Sequence, residues 1–153
     1  MELTMTPIGT VVGGRTEAID DHWGPVEATI VLDPRALGVD AADGLGEFSH
    51  VEVVFVFDRV DPADVVTGAR HPRGNTAWPR VGILAQRARM RPNRIGVTVC
   101  ELRNVRGLEL DVRGLDAVDG SPVLDVKPYM AAFGPRGDRR EPAWAGELMD
   151  GYW

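Results

Sequence analysis

The apolar residues of this chain fall into short runs that are separated by turn-forming residues. The most apolar run is Val51–Phe57, and apolar and polar side chains alternate in several of the others. Short runs of this kind, bounded by glycine, proline or aspartate, are typical of strands in an all-β barrel or sandwich. The predicted strands are Ile8–Val12, Glu27–Leu32, Val51–Phe57, Val81–Ala85, Val97–Leu102, Leu108–Val112 and Val123–Val126.

Helical patterns are scarce along the chain. Pro34–Asp43 and Pro62–Thr67 predict single helical turns, and Pro142–Met149 predicts a short helix. With 153 residues and no internal repeat or linker, residues 1–153 suit one domain. The sequence therefore predicts a mainly all-β fold, a single β-barrel domain with short helical turns and a short C-terminal helix.

Charge is segregated along the chain. The total is −6, but residues 1–58 carry −9, residues 59–106 carry +7 and residues 107–153 carry −4. Within the basic middle third, Arg70–Asn75 and Arg87–Arg94 place arginines on loops that contain proline or glycine. We expect these guanidinium groups to be free to bind a carboxylate or a phosphate. The alternative is a solvated surface whose arginines pair with the acidic ends.

Several classes of protein find no support in the sequence. No G-x-G-x-x-G string follows a first strand, and Cys100, His22, His50 and His71 lack zinc-ligand spacing, so we predict no metal. Ser49 and His50 are neighbours at a strand start. Because side chains of adjacent strand residues point to opposite faces, we expect no nucleophile and base pair there.

Cysteine content and hydropathy indicate the compartment. A single cysteine forms no intrachain disulfide, and neither a charged and apolar leader nor a membrane-length apolar run opens the chain. We therefore expect a cytoplasmic protein without membrane contact.

Two strings combine proline, glycine and charge beside apolar residues, as shaped loops at strand mouths do. They read Arg91-Pro92-Asn93-Arg94-Ile95-Gly96 and Asp119-Gly120-Ser121-Pro122-Val123-Leu124-Asp125-Val126-Lys127-Pro128-Tyr129. Both resemble the TsaA/TrmO-like family of S-adenosylmethionine-dependent β-barrel methyltransferases, in which the strings read roughly R-P-N-P-I-G and D-G-T-P-V-L-D-I-K-P-Y. Three further blocks match in order: Thr6–Gly9, Gly44–His50 and Gly82–Arg87.

The chain departs from the family pattern in two places. Arg94 stands where the family commonly has a second proline, and Trp23–Val26 stands opposite the Pro-Arg-Gln cofactor element of longer members. Since proline fits this loop in the family, we expect Arg94→Pro to preserve folding.

The resemblance implies S-adenosylmethionine as cofactor and names the residues that contact it. On physical grounds we assign Arg87 to the cofactor's carboxylate, because a cation is needed there. For Arg91 and Asn93 the alternative is that they brace their loop. The cofactor-binding candidates are Asp58, Arg59, Arg87, Arg91, Asn93, Val97, Gly114, Leu115, Asp116, Ala117 and Val118.

The family is best known for N6-methylating threonylcarbamoyladenosine at position 37 of tRNA, and the resemblance implies this activity. Asp125, Lys127 and Tyr129 are the candidates to orient or polarise the acceptor nitrogen. Alternatively, Asp125 and Lys127 form an ordinary ion pair on one strand face. The basic middle third would bind the tRNA anticodon loop. Two alternatives stay open: a small-molecule or peptide acceptor, and a non-catalytic module that binds S-adenosylmethionine or RNA.

Assembly is the last expectation. The resemblance implies a homodimer with the cofactor site near the interface, and a small barrel has limited room for side chains and a ligand together. Trp144, Tyr152 and Trp153 are candidates for the contact, since interface cores are rich in tryptophan and tyrosine. The alternative is that the C-terminal residues pack on their own barrel.

Overall fold

The computed structural model describes residues 1–153. It contains eight strands and one α-helix, α1, at Ala143–Met149. The strands are β1 Gly9–Val12, β2 Glu27–Leu32, β3 His50–Val56, β4 Ala69–Arg70, β5 Val81–Gly82, β6 Ile95–Arg106, β7 Glu109–Arg113 and β8 Pro122–Pro128. Short 3-10 turns lie at Leu45–Glu47, Pro62–Asp64, Pro72–Gly74, Ile83–Ala85, Pro92–Arg94 and Ala131–Phe133.

Six of the strands close into an antiparallel barrel in the order β1-β2-β7-β6-β3-β8, and β4 pairs only with β5. The alternation of apolar and polar residues explains the barrel wall, because inward side chains on β3 are Val51, Val53 and Phe55 while those between them face outward. Gly96 on β6 leaves room for the Phe55 ring, since a Cβ at residue 96 would lie 2.5 Å from it. The predicted barrel is confirmed.

Most strand predictions are confirmed with shifted boundaries, and one is half wrong. β2 and α1 lie where the sequence placed them. The run Val81–Ala85 is a strand only at Val81–Gly82 and then turns into the 3-10 turn Ile83–Ala85. Pro34–Asp43 contains turns but no helix. β6 extends past its predicted end. After a register shift near Leu102, its residues as far as Arg106 still pair with β7 in a hairpin.

The two ends of the barrel differ in what covers them. At the loop end, β1, β3 and β7 finish and β2, β6 and β8 begin, and the connections 13–26, 57–94 and 114–121 lie there. The far end carries the connection 33–49 and the turn at Gly107. None of the helices has the length and apolar character needed to cross a membrane.

Candidate functional site at the loop end

The connection between β7 and β8 closes the loop end. Gly114, at φ +80°, turns the chain out of β7 in a conformation that favours glycine. Leu115 and Ala117 then point into the barrel and are almost fully buried. Asp116 stands between them and is half-buried. The sequence pattern apolar, acidic, apolar thus places one carboxylate at the mouth of an apolar core.

Two hydroxyl groups hold this carboxylate. Thr98 donates to Asp116 Oδ1, and Tyr152 donates to Oδ2. Burial and the Asp116 charge raise the pKa of the Tyr152 hydroxyl, so Tyr152 is a neutral donor at physiological pH. Burial, with a smaller contribution from Asp116, also raises the pKa of the Cys100 thiol, to about 12. Asp116 is therefore oriented by neutral groups.

Arg87 brings a positive charge near Tyr152, one of the two donors to this carboxylate. It follows the 3-10 turn Ile83–Ala85, and its Nη2 donates to the carbonyl of Val97, one residue before Thr98. Together with Arg73 it acts on the pKa of Tyr152 in the direction opposite to Asp116. The predicted residues Arg87, Val97 and Asp116 thus lie together.

A second predicted pair joins the same connection from the other side. Arg59 donates to the carbonyls of Thr16 and Asp119, and the Asp119 carboxylate accepts from the Gly13 amide at 2.8 Å. Asp58 beside it is exposed and makes no side-chain hydrogen bond. Arg59 therefore ties three connections together at the loop end.

We expected the arginines of the basic loops to be free to bind a ligand, but those of the loop Arg87–Arg94 bind the protein's own backbone. Arg89 donates to the carbonyl of Ala18, Arg91 to that of Gln86 and Arg94 to that of Val60, at 2.6 to 2.9 Å. Arg73 instead pairs with Asp21 at 2.8 Å. Irregular loops leave carbonyls without strand partners, and a guanidinium group supplies the missing donors. The contact of Arg91 with the Gln86 carbonyl agrees with the alternative that Arg91 braces its own loop.

The expectation that Arg94→Pro preserves folding is contradicted by the backbone. Asn93 and Arg94 have φ of +62° and +52°, while proline is confined to about −65°. The Arg94 amide also donates to the Arg91 carbonyl at 3.0 Å, and proline has no such donor. The exposed Asn93 side chain makes no hydrogen bond. This loop therefore needs a residue other than proline at position 94.

The predicted catalytic residues lie apart from this cluster. Asp125 and Lys127 form an ion pair on the outer face of β8, which raises the pKa of Lys127. Asp125 is paired in register with Val54, which is paired with Val97, so two strand spacings separate Asp125 from the residue whose carbonyl Arg87 binds. Tyr129, 39% exposed, lies beyond the end of β8 at the far end. Within a single chain, Asp125, Lys127 and Tyr129 therefore do not come close to Asp116.

The geometry of Ser49 and His50 also differs from expectation. The Ser49 hydroxyl lies 2.8 Å from His50 Nδ1, because β3 begins only at His50 and the pleat does not yet separate the two side chains. No carboxylate pairs with the imidazole. A triad is therefore absent.

Sequence reasoning missed Thr98 and Tyr152 as members of the site. Thr98 did carry a signal, since it is a polar residue at an inward position of β6, flanked inward by Gly96 and Cys100. Tyr152 carried none beyond the rule that a terminal aromatic residue packs somewhere.

The protein is thus a small closed antiparallel barrel whose mouth gathers one carboxylate, one guanidinium and two hydroxyl groups. The family follows from comparison: the chain belongs to the family described as the tRNA-methyltransferase O N-terminal domain, whose model matches residues 21–134.

Curated relatives cover the chain to different extents. The tRNA (adenine(37)-N6)-methyltransferase of Mus musculus is 41% identical over 90 residues, which are 59% of this chain and 20% of that protein. That of Escherichia coli K12 is 41% identical over 96 residues, 60% of this chain and 40% of that protein. A probable S-adenosyl-L-methionine-binding protein of Methanothermobacter thermautotrophicus is 38% identical over 136 residues, 84% of this chain and 91% of that protein. The chain thus spans a minor part of the two methyltransferases.

Among solved structures, the crystal structure of TrmO from Pseudomonas aeruginosa matches with a TM-score of 0.73 and 30% identity. The match covers 92% of this chain and 62% of that one. The likeness therefore extends well beyond the residues matched by the family model.

Proposed function

We propose that this chain binds S-adenosylmethionine at the loop end and transfers its methyl group to the N6 position of the modified adenosine 37 of tRNA. One observation carries the proposal: a carboxylate oriented by neutral donors, Asp116, stands near a guanidinium, Arg87, at the mouth of an apolar barrel. The names of the relatives, S-adenosyl-L-methionine-binding protein and tRNA (adenine(37)-N6)-methyltransferase, support this ligand and this acceptor.

The donor set fits the cofactor. Its amino-acid end presents a carboxylate and an ammonium, and its ribose presents hydroxyl groups. Arg87 is exposed and has N–H groups beyond the one that binds Val97, so it would bind the cofactor's carboxylate. Asp116 has lone pairs beyond the two that its hydroxyl donors use, so it would accept from the ammonium or the ribose. The half-buried Val118, two residues after Asp116, would supply apolar contact to the adenine, and the buried Leu115 would support the site from inside the barrel.

The remaining cofactor candidates contribute by position. Arg59 and Asp58 stand at the end of β3, and Arg91 and Asn93 border the start of β6. Gly114 and Ala117 let the connection between β7 and β8 lie close to the mouth. We propose that these residues shape the walls of the site and that Arg87 and Asp116 make its charged contacts.

The bound cofactor supplies an activated methyl group for an in-line displacement, and the protein's task is to align the acceptor nitrogen and exclude water. Asp125, Lys127 and Tyr129 would orient that nitrogen, and the Asp125 carboxylate would accept its proton, because the protonated Lys127 has no lone pair. Since they lie on the outer face of β8 and beyond it, they need a second surface to enclose an acceptor.

That surface would come from a second copy of the chain. The outer face of β3, β6 and β8 carries the exposed Val97 and Val99 on β6 and, across β3, Asp125 and Lys127 on β8. A twofold contact across this face would place the β8 residues of one subunit near the loop end of the other. The homodimer we propose therefore uses this face. Tyr152, a contact candidate from sequence, is held by its own barrel.

Replacing Val99 by lysine tests the dimer. A charge at a buried apolar interface position is costly, so Val99→Lys should sediment as a monomer. Val31→Lys is the matched control, because Val31 is equally exposed, at 37% against 39%, on the opposite side of the barrel. If Val99→Lys and the wild type sediment alike, the dimer does not use this face.

Transfer to tRNA tests the function as a whole. The protein is mixed with methyl-labelled S-adenosylmethionine and total tRNA from cells that lack this modification, and the nucleosides are analysed by mass spectrometry. The proposal predicts one added methyl on the threonylcarbamoyl adenosine, lost in Arg87→Ala. Cofactor binding without transfer to tRNA would show that tRNA is not the acceptor. Absence of cofactor binding would show that the loop end is not a cofactor site.

A small-molecule or peptide acceptor is the second candidate, and the bound state of the arginines favours it. The net charge is −6, Arg87 is assigned to the cofactor, and the loop arginines 89, 91 and 94 bind carbonyls, which reduces their capacity for phosphates. The exposed Arg136, Arg139 and Arg140 are not in ion pairs and remain for tRNA. Replacing these three by glutamate should abolish tRNA binding if tRNA is the acceptor and leave transfer to a small acceptor intact. Either acceptor fits a cytoplasmic location, which we also propose.

A further inference from the structure

The last three residues of the chain dock on the connection between β1 and β2. The His22 and Trp23 amides donate to the carbonyls of Gly151 and Tyr152, at 2.9 and 2.8 Å. The backbone of Trp153 lies against Gly24 so closely that a Cβ on Gly24 would lie 2.7 Å from it. Trp153 stacks edge-on against Tyr152, with ring centroids 4.8 Å apart. The C-terminal segment Gly151–Trp153 is therefore an ordered strip of backbone with defined partners.

This docking sets the place of the Tyr152 hydroxyl. It donates to one oxygen of Asp116 while Thr98 donates to the other. Two donors on the two oxygens fix both the position and the plane of a carboxylate. Thr98 sits on the barrel wall, whereas Tyr152 reaches Asp116 only because the C-terminal segment is docked.

We propose that Tyr152 is a positioning residue for the ligand site, which it serves by holding the Asp116 carboxylate in the orientation that receives the ligand. The inference rests on the proposed function in that it takes Asp116 as a ligand-binding group. A carboxylate held before binding loses less conformational entropy when the ligand arrives. The segment Gly151–Trp153 is then part of the binding site.

Two substitutions disturb this arrangement in different ways. Tyr152→Phe removes the donor and keeps the ring. Gly24→Ala leaves Tyr152 and Asp116 unchanged and displaces the C-terminal segment by a backbone clash. Gly146→Ala is the matched control, since Gly146 lies in α1 and a Cβ there meets nothing within 4 Å. Calorimetric titration with S-adenosylmethionine should show about tenfold weaker binding for the first two and unchanged binding for the control.

A double-mutant cycle separates positioning from mere packing. If Tyr152 acts through Asp116, Tyr152→Phe should have no further effect on affinity in an Asp116→Ala background. Full additivity, or unchanged affinity in Tyr152→Phe and Gly24→Ala, would overturn the proposal.

Hydrogen exchange without any ligand keeps the inference distinct from the proposed function. Both Tyr152→Phe and Asp116→Ala should speed exchange of the His22 and Trp23 amides, because each removes one side of the bond that keeps the C-terminal segment docked. If the wild type fails to bind S-adenosylmethionine but these amides respond, the proposed cofactor is wrong and the docking of the segment through Asp116 stands. Amides that respond to neither substitution would contradict the role of Tyr152.

Discussion

The barrel wall and the loop end are built by different interactions. In the wall, apolar side chains alternate inward and neighbouring strands satisfy each other's backbone groups. At the loop end the backbone follows no regular pattern, and arginine side chains donate to its carbonyls. The wall is thus stabilised by burial and the loop end by charge-assisted hydrogen bonds. Five of the ten arginines in the middle third of the chain, at positions 59, 87, 89, 91 and 94, bind carbonyls in this way.

The largest effect is expected at Arg94, whose positive φ proline cannot adopt. Arg94→Pro forces φ from +52° to about −65° and should cost about 3 kcal/mol or more of unfolding free energy. Arg94→Gly tolerates the positive φ and loses only the bond to the Val60 carbonyl, so it should cost about 1 kcal/mol. Urea denaturation checks both, and equal stability of the two variants would mean that the loop backbone is not as described.

Gly96→Ala tests the wall. Its Cβ would lie 2.5 Å from the buried Phe55 ring, and overpacking of this kind costs about 1–3 kcal/mol. Gly68→Ala serves as control, because a Cβ there meets nothing within 4 Å. The same denaturation measurement should show a loss for the first variant alone. Equal stability of both would mean that the wall is less tightly packed than the structure has it.

Alkaline pH should destabilise the wall through Cys100. Its pKa is about 12 in the folded chain against an ordinary 9.0, so above pH 9 the unfolded chain loses a proton that the native state keeps. This contribution is complete below pH 9 and is lost as the pH rises toward 12, by up to about 1.4 kcal/mol per pH unit. Between about pH 8 and pH 10.5 the stability of the wild type should fall more than that of Cys100→Ala, in which Tyr152 still titrates. Parallel falls would contradict this.

The smallest effects on stability are expected from replacing single arginines, one at the loop end and one in the wall. Arg59→Ala removes two bonds to carbonyls in separate connections and should cost about 1 kcal/mol. Arg103→Ala removes an exposed ion pair with Glu101, and exposed pairs contribute about 0.5 kcal/mol or less. Thermal denaturation at low and high salt should show the larger loss for Arg59→Ala at both. A larger loss for Arg103→Ala would mean that the bonds from Arg59 to the loop carbonyls do not stabilise the fold.

The sequence predicted the wall well because strand periodicity is a local signal. β2 matches its prediction residue for residue, and β3 and β8 differ only at their ends. At the loop end the resemblance named Arg87, Val97 and Asp116 as cofactor contacts; the structure brings these residues near one another, and their role in binding stays a prediction. The contact between Tyr152 and Asp116 was beyond prediction, because it joins residues 36 positions apart through a docked C-terminus. The positive φ of Arg94 was equally hidden, since arginine rarely adopts it.

The proposed ligand binds at the loop end and not at the far end. Hydrogen exchange measured with and without saturating S-adenosylmethionine tests it most directly, because it reports on every connection of the barrel at once. We expect slower exchange in residues 86–98 and 114–119 and unchanged exchange in residues 33–49 and 106–109. Protection confined to the far-end residues, or no protection anywhere, would contradict it.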